Sequence, residues 1–384
     1  MALLSFSSSF VRVALVLSTT LVLQANGQQK TFPDTPLANK RIPFTQIPYQ
    51  VDTDKDLIRG AQFGVNQCNS TTEGPESKCQ TSFINSIDDF CLWAPPEKDS
   101  TIGNTEGEAV AWCTKPGRGT RLIPAGALQG VQFMRTPDYV QVVGFIDQKL
   151  INIETTDSGG EMDPHGADLR GNPLGGLLYS NAWGSDKNAF TQVIEWHNFM
   201  GGNAFCLKAC DPSKPNAAKF CEHIFDRIGC AYNAPNAAKT GTFESCAGDN
   251  QDFPGIYTSN GQVLTYTQPD EKLGAIQTMP YEPKVPASSN CTPFTSASLY
   301  NALQSAPRWR CCFISTHCCA KRKRQVTKRL FGPRGPIQWK RCPTPQRLWH
   351  QRSQYSRRQH RSDDSWNLLR CGLLVVMSCL FSPI

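Results

Sequence analysis

Hydrophobic positions in this chain occur in short runs of branched and aromatic residues, which are separated by turn-forming residues. Residues 131–134, 139–146 and 191–196 are such runs. Valine, isoleucine and aromatic side chains favour the extended backbone of a β-strand. The pattern therefore predicts a mainly β fold.

A β-hairpin is predicted further along the chain. Residues 256–258 and 263–267 are two strand-like runs that flank Asn260-Gly261. Asparagine and glycine both adopt positive φ readily, as the two central positions of a tight hairpin turn require.

One short helix is predicted near residues 217–228. Asn216 offers a side-chain oxygen to the first free backbone amides, and Gly229 suits the left-handed end of a helix. Between them, apolar residues recur at four-residue spacing, namely Phe220, Ile224 and Ile228. The expected fold is a β-rich, disulfide-stapled single domain with this helix.

The N-terminus has the pattern of a secretory signal peptide over residues 1–27. Arg12 precedes an apolar stretch at residues 13–23, and Ala25-Asn26-Gly27 supplies the small residues that signal peptidase accepts. Cleavage is expected after Gly27. No stretch of about 20 apolar residues follows, so no transmembrane domain is predicted. The mature protein is expected to be secreted and extracellular, in the cell wall or at the cell surface.

Charge divides the rest of the chain into two segments. The 384 residues carry 39 basic and 32 acidic side chains, a formal charge of +7. Residues 28–306 hold 21 basic and 30 acidic side chains, whereas residues 307–384 hold 17 basic and 2 acidic ones. Core-forming patterns occur in the first segment, which is predicted to be the folded domain. Residues 307–384 are predicted to be a disordered basic tail that ends in a short apolar stretch.

Three interpretations of this tail are open. Its arginines and tryptophans resemble a nucleic-acid-binding arm, but export by a signal peptide argues against a nucleic-acid partner. The apolar stretch at residues 372–381 is preceded by weak candidates for a lipid-anchor site, Ser362 and Ser365, so an anchor is not expected. The third hypothesis is a frame-shifted or mis-spliced product, because glycine and serine codons read one base out yield arginine and glutamine codons.

Cysteine usage predicts disulfide bonds. Residues 28–306 contain ten of the 17 cysteines, and an even number in a secreted chain predicts up to five bridges. Spacing does not give the pairing, but the cysteines fall into a group of four and a group of six that can each close on itself. The ten are Cys68, Cys79, Cys91, Cys113, Cys206, Cys210, Cys221, Cys230, Cys246 and Cys291.

Two N-glycosylation sequons lie in the same segment. They are Asn69-Ser70-Thr71 and Asn290-Cys291-Thr292. Oxidation of Cys291 competes with glycan addition at Asn290, so Asn69 is the stronger predicted acceptor.

Several motifs resemble a known family. They are IPYQVDTD at 47–54, DPHGADLRGNPLGG at 163–176, EWHNFMGGN at 195–203, CDP at 210–212 and CEHIFDRIGCAYNAPN at 221–236. Over roughly residues 28–303 the chain is similar to the fungal secreted proteins named macrophage-activating glycoproteins. This resemblance implies a secreted, glycosylated and disulfide-bonded protein, and it implies no reaction. Members of that family continue with a Ser/Thr/Gly/Ala-rich stalk, a pattern from which this chain departs after Ala306.

The best candidate for chemistry is a cluster of histidines and acids. Its members are Asp163, His165 and Asp168 in a glycine-rich loop, with Glu195 and His197 on a predicted strand. Residues 195 and 197 are two apart, so their side chains share one face of a strand. Imidazole and carboxylate groups bind zinc-like ions, and two carboxylates can act as acid and base on a glycosidic bond. The alternative is structural, because Asp163 precedes a proline and can bond its own backbone in a turn.

Aromatic residues offer a second means of binding. Trp93, Trp112, Trp183 and Trp196 would stack on sugar rings if exposed, but large aromatics are usually buried, so core packing is expected.

The sequence carries no GxSxG, HExxH or GxxxxGK[ST] motif. No catalytic residue and no cofactor is therefore assigned. The predicted function is a non-catalytic binding, cell-wall or recognition role, with cell-wall polysaccharide or host-cell receptors as candidate partners. The alternative is a carbohydrate-active or metal-dependent enzyme that uses Asp163, His165, Glu195 and His197.

Overall fold

The computed structural model describes residues 31–300, which form a mainly β structure. The predicted signal peptide and the predicted tail at 307–384 lie outside the described residues. The strands are β1 (Thr81–Ser86), β2 (Asp89–Ala94), β3 (Val110–Cys113), β4 (Arg121–Leu122), β5 (Leu128–Arg135), β6 (Tyr139–Ile146), β7 (Gly160–Met162), β8 (Leu177–Ser180), β9 (Thr191–Val193), β10 (Trp196–Gly201), β11 (Ala204–Cys210), β12 (Phe243–Gly248), β13 (Ile256–Ser259), β14 (Gln262–Thr265) and β15 (Ser288–Phe294).

Helices in residues 31–300 are short. The α-helices are α1 (Ile102–Thr105), α2 (Ala217–Phe220), α3 (Gly229–Asn233) and α4 (Ser296–Leu299). Single 3₁₀ turns occur at Leu37–Asn39, Phe44–Gln46, Gln148–Ile151 and Glu271–Leu273. Across residues 31–300, every helix falls short of the length and apolar content that a membrane span requires.

The strands form two large sheets and one hairpin. The first sheet has six strands in the order β4-β3-β2-β1-β8-β9, and the second has seven in the order β15-β12-β5-β6-β11-β10-β7. Most neighbours are antiparallel, while β1 with β8, β3 with β4 and β5 with β12 run parallel. The hairpin β13-β14 turns at Asn260 and Gly261, whose φ values of 50° and 76° match the prediction.

The two large sheets share one hydrophobic core. Trp93 of β2 stacks on Trp196 of β10 with ring centroids 4.3 Å apart, and Phe90 stacks on Phe205 at 6.1 Å. The backbone amide of Trp93 also donates to the Asn198 side-chain oxygen at 2.9 Å. Neighbouring residues of a strand face opposite sides, and strands such as β11 contribute alternate positions to this core, whereas β2 contributes the consecutive residues Leu92, Trp93 and Ala94.

The remaining positions point to the outer faces, and both of these faces are covered as well. On the first sheet, Phe83 and Tyr179 pack under Leu37 and Phe44 of the N-terminal segment. On the second sheet, residues 211–240 form a cover. It buries Cys206 and Cys210 of β11 and the outward-facing side chains of Tyr139 and Val143 on β6. The candidate site described below lies at this second outer face.

All ten predicted cysteines are paired. The five disulfides are Cys68–Cys79, Cys91–Cys113, Cys206–Cys230, Cys210–Cys221 and Cys246–Cys291. None of them crosses between the group of four and the group of six. Two of the bridges tie β11 to the cover.

The predicted helix at 217–228 is wrong in its extent. Helix α2 begins at Ala217, as the pattern indicates, but it ends at Phe220, and α3 starts only at Gly229. Asn216 makes no capping bond through its side chain. Cys221 is held to Cys210, and Ile224 is 56% exposed, so the four-residue spacing does not mark one buried face.

The run at 191–196 is also divided. Strand β9 ends at Val193 in the first sheet, and β10 begins at Trp196 in the second, so the chain changes sheets at Ile194 and Glu195. Glu195 is therefore not on a strand, and the prediction that it shares a strand face with His197 is wrong. The runs at 131–134 and 139–146 are confirmed as parts of β5 and β6.

Removing a ring from the shared core should destabilise both sheets together. Trp196→Ala is expected to lower the free energy of unfolding by about 3–5 kcal/mol, since it deletes a fully buried indole and leaves a cavity. Trp183→Ala is the control, because that ring packs against the core but is only partly buried. Urea denaturation with the disulfides intact measures both losses, and equal losses would contradict a core centred on Trp93 and Trp196.

Candidate functional site

A cleft of about 1600 Å³ opens at the outer face of the seven-stranded sheet. Its floor includes the edge strand β7, and its walls include residues 223–230 of the cover and residues 265–271. Arg227 joins these two walls, since its guanidinium donates to the Pro269 carbonyl at 2.6 Å and its amide donates to the Gln268 side chain at 2.9 Å.

The cleft is strongly acidic. Six carboxylates line it, whereas Arg227 is the sole arginine or lysine among its lining residues. Asp226, Asp270 and Glu271 are exposed at the rim, and Glu161 and Asp163 are buried at the floor. Glu106 is the sixth carboxylate and follows the end of α1.

Glu161 reaches the floor because of strand register. It lies on β7 directly opposite Phe199 of β10, and residues paired in this way point to the same side of a sheet. Its side chain is buried, and neither carboxylate oxygen has a hydrogen-bond partner in the part of the chain that the structure describes. Burial raises the pKa of Glu161 well above its ordinary value, and the charge of Asp163 adds to this shift. Among the described residues, Glu161 is therefore a buried acid without a hydrogen-bond partner.

Glu106 and Asp163 extend this acidic floor. Burial, followed by the charge of Asp163, raises the pKa of Glu106 to about 7. Glu106 accepts a hydrogen bond from the Asn172 side chain at 3.0 Å. Asp163 accepts from the backbone amides of His165 and Gly166 at 2.7 and 2.8 Å. Burial outweighs these two bonds and raises the pKa of Asp163.

The structure does not bring the five predicted cluster residues together. The Asp163 carboxylate bonds the backbone of its own loop in a turn, which is the structural alternative to a role as a ligand. Asp168 is buried between two arginines, accepting from Arg59 at 2.9 Å and lying 3.8 Å from Arg170. Both arginines engage this carboxylate, so Asp168 is not available as the metal ligand that the sequence suggested.

His197 lies away from the other cluster residues. It sits on the outer face of β10, fully buried beneath the cover and paired across the sheet with Lys208. Burial, and then the charge of Lys208, holds the pKa of His197 well below its ordinary value. A neutral, enclosed imidazole of this kind packs under the cover.

Two members of the predicted cluster do meet, and a third residue joins them. His165 Nε2 lies 3.2 Å from the Glu195 carboxylate, and the ring of His223 stacks on that of His165 with centroids 3.6 Å apart. Burial lowers the pKa of His165, but the hydrogen bond and charge of Glu195 outweigh it, so the net shift is upward. Burial and the charge of His165 lower the pKa of His223. These three side chains bring two imidazoles and a carboxylate together, with one ligand atom of each within 4.8 Å of the others.

His223 and Lys208 are the residues of this region that the sequence did not single out. Lys208 is fully buried, and its ammonium donates to the carbonyls of Phe220 and Asn233 at 3.1 and 2.7 Å. A signal was present, since Cys206 and Cys210 share its strand face. Two disulfide-bonded neighbours mark that face as covered, so the lysine between them has to be buried too.

The tryptophans follow the core-packing expectation. Trp93, Trp112 and Trp196 are buried, and Trp183 is partly buried against the same core. The aromatic side chains of the cleft are Phe199, Phe225 and Tyr266.

The first sequon is exposed and ordered as a turn. The Asn69 side-chain oxygen accepts from the Thr71 amide at 2.8 Å and from its hydroxyl at 2.7 Å. Asn290 is also exposed, with φ of 51°, next to the disulfide-bonded Cys291. Glycosylation of Asn69 and Asn290 stays a prediction.

Two fungal relatives align with this chain. Appressorium protein ROW1 of Mycosarcoma maydis is 47% identical over 257 residues, which are 65% of this chain and 58% of the relative. Appressorium protein ROW2 of the same fungus is 39% identical over 264 residues, which are 66% of this chain and 89% of the relative. The chain thus spans little more than half the length of ROW1. No protein-family model and no solved structure matches it.

The buried acid should make stability depend on pH. The folded state keeps a proton on Glu161 that the unfolded chain releases above its ordinary pKa of 4.5, so stability falls as pH rises past that value. Glu161→Gln is expected to raise the free energy of unfolding at neutral pH and to leave it unchanged below 4.5. Urea titrations across this range measure the effect.

The exposed Glu108→Gln is the matched control and should change nothing. In the Glu161→Gln variant, the free energy of unfolding is still expected to decline between pH 4.5 and about 7, because the pKa of Glu106 is also raised in the folded state. A uniform destabilisation of Glu161→Gln at every pH would contradict the assignment of Glu161 as a protonated acid.

The exposed turn at the first sequon should accept a glycan. Asn69→Gln is expected to remove one glycan mass from protein secreted by a fungal host, because the acceptor amide is lost. Mass spectrometry before and after enzymatic removal of N-glycans measures this, with the exposed Asn104→Gln as a control outside any sequon. Identical masses for wild type and Asn69→Gln would show that this sequon is unused.

Proposed function

Because the chain belongs to the family of the fungal appressorium proteins ROW1 and ROW2, we propose that it is a secreted or cell-surface fungal glycoprotein that binds cell-wall polysaccharide without catalysis. Five disulfides support an oxidising, extracellular location. The signal pattern at residues 1–27 and the two sequons support the same location.

The acidic cleft is the proposed binding site. The observation that carries the proposal is Glu161, a buried carboxyl group that lines the cleft with no hydrogen-bond partner among residues 31–300. An unpaired buried polar group is costly, and a ligand that supplies a partner recovers that cost. The cleft therefore suits a ligand that donates a hydrogen bond to the Glu161 carboxyl group.

The charge of the cleft selects the kind of polysaccharide. Rim carboxylates at Asp226, Asp270 and Glu271 attract positive charge and repel acidic polymers. An ammonium group at the floor would favour the ionised form of Glu161, which then pairs with it. We therefore propose a polysaccharide whose sugar units carry free amino groups.

The frame around the cleft suits binding to a rigid polymer. Cys206–Cys230 and Cys210–Cys221 fix the cover to β11, and Arg227 fixes one wall to the other. A preformed cleft loses little conformational entropy when it binds. The sequons at Asn69 and Asn290, where glycans are predicted, and the resemblance to macrophage-activating glycoproteins support a further use of the surface in recognition by other cells.

A second candidate function is hydrolysis of the same polymer. It is favoured by Glu106, whose pKa of about 7 suits a general acid at neutral pH, beside two further carboxylates. This candidate uses the acidic floor and leaves out His197, which the structure encloses under the cover.

Binding to chitosan and chitin tests the proposal. The two polymers share a backbone, but only chitosan carries free amino groups, so the full chain is expected to cosediment with chitosan and weakly with chitin. Added salt should weaken the chitosan complex, because charges at the rim are screened. Asp226→Asn and Glu161→Gln should each reduce binding severalfold, while Glu108→Gln should not.

The contrary outcomes are distinct. Equal binding to chitin and chitosan would refute selection by charge, and no binding to either would refute the polysaccharide proposal. Release of soluble oligosaccharide, lost in Glu106→Gln but kept in Glu108→Gln, would replace binding by hydrolysis as the function.

A further inference from the structure

We infer that His165, Glu195 and His223 form a binding site for one divalent transition-metal ion, with Zn²⁺ as its representative. This inference goes beyond the proposed function, since it needs no polysaccharide. It rests on a meeting of three chain segments that are far apart in the sequence. His165 comes from the loop after β7, Glu195 from the connection between β9 and β10, and His223 from the cover.

The spacing of the ligand atoms suits a metal ion. One ligand atom from each of the three side chains lies within 4.8 Å of the other two. Zinc ligands lie about 2.0–2.2 Å from the metal, which places neighbouring ligand atoms of a tetrahedral site about 3.3–3.5 Å apart. The 3.2 Å separation of His165 Nε2 and the Glu195 carboxylate is close to that edge. A rotation of His223, whose side chain is 34% exposed, brings in the third ligand.

The identity of the donors selects the class of metal. Two imidazole nitrogens and one carboxylate oxygen suit zinc and its neighbours in the first transition row, whereas calcium and magnesium prefer oxygen ligands alone. Three protein ligands also leave the fourth tetrahedral position for water. All three side chains are half-buried, so an ion can enter from solvent.

The surroundings support the same assignment. The Glu222 carboxylate lies 3.6 Å from Nδ1 of His223, beyond hydrogen-bond distance, and would orient a metal-bound imidazole once the ring turns toward it. The rings of His165 and His223 stack nearly parallel, at 8°, so their in-plane lone pairs meet at one ion only after His223 turns out of the stack. The ion would then take the place of the proton between His165 and Glu195.

A second cluster of potential metal ligands in residues 31–300 does not offer such a site. It combines Glu244 with Cys246 and Cys291, but these two cysteines form a disulfide and have no thiolate to give. Asp168 is likewise engaged by arginines. The proposed site is thus the cluster whose donors are available.

Metal binding would connect the cover to the loop that carries Asp163. His223 lines the cleft, so the ion would hold one wall in place against β7. Because the unfolded chain does not assemble these ligands, binding would stabilise the folded protein by mass action.

Zinc titration of the full chain tests this inference. Residues 307–384 contain three histidines and seven cysteines, which are zinc ligands in their own right, so the readout has to be resolved by residue. Imidazole nitrogen signals of the ¹⁵N-histidine-labelled protein provide that readout. Zn²⁺ is expected to shift the signals of His165 and His223 at one equivalent per site and to leave His197, enclosed beneath the cover, unchanged.

Variants separate the site from the tail. His165→Ala and His223→Ala should each weaken zinc affinity at the remaining histidine by about tenfold or more, and Glu195→Gln should weaken it while both signals remain. Glu108→Gln is the matched control. An unshifted His197 signal in each variant shows that the fold is intact.

Two results would overturn the inference. The first is Zn²⁺ binding that leaves His165 and His223 unshifted, which would assign all metal to the tail. The second is an affinity for Zn²⁺ at these histidines that Glu195→Gln does not change. Polysaccharide binding that survives either result keeps the proposed function separate from the metal site.

Discussion

The attachment of the cover to the outer face of the seven-stranded sheet is the constraint on which the site depends. Lys208 is buried there and donates to carbonyls of the cover, and two disulfides flank it on the same strand face. A lysine removed from water is tolerated because its donors are satisfied by two main-chain carbonyls and the side-chain oxygen of Gln251. The cover in turn supplies one wall of the cleft and carries His223 to His165.

The concentration of acids in the cleft runs against folding stability. Glu161 and Asp163 share a floor with Glu106, and burial raises the pKa of all three. Ionising several neighbouring carboxylates in a low-dielectric site is unfavourable, because burial and like-charge repulsion both disfavour the charged form. The folded state therefore holds them partly protonated. Groups with shifted pKa values are more frequent at functional sites than elsewhere, and a ligand that pairs with these carboxyl groups would account for the arrangement.

Some parts of the site were accessible from sequence, and others were not. His165 and Glu195 were predicted as members of one cluster, and they meet at 3.2 Å. His197 was grouped with them through a supposed common strand, but the chain changes sheets at Glu195, and one strand became two. His223 falls within the helix that the apolar spacing predicts, but α2 ends at Phe220, and Cys221 is bonded to Cys210 on β11. Local periodicity carries no information about such long-range ties.

The sequence by itself determined the mainly β character, the hairpin at Asn260-Gly261 and the use of ten cysteines in disulfides. Each of these follows from local preferences, because strand propensity, turn geometry and oxidation depend on neighbouring residues and compartment. Tertiary structure alone decided that Glu161 faces a cleft with no hydrogen-bond partner among residues 31–300, and that His223 joins His165 and Glu195. Those outcomes depend on sheet order, strand register and the path of the cover, which bring together residues that are distant in the chain.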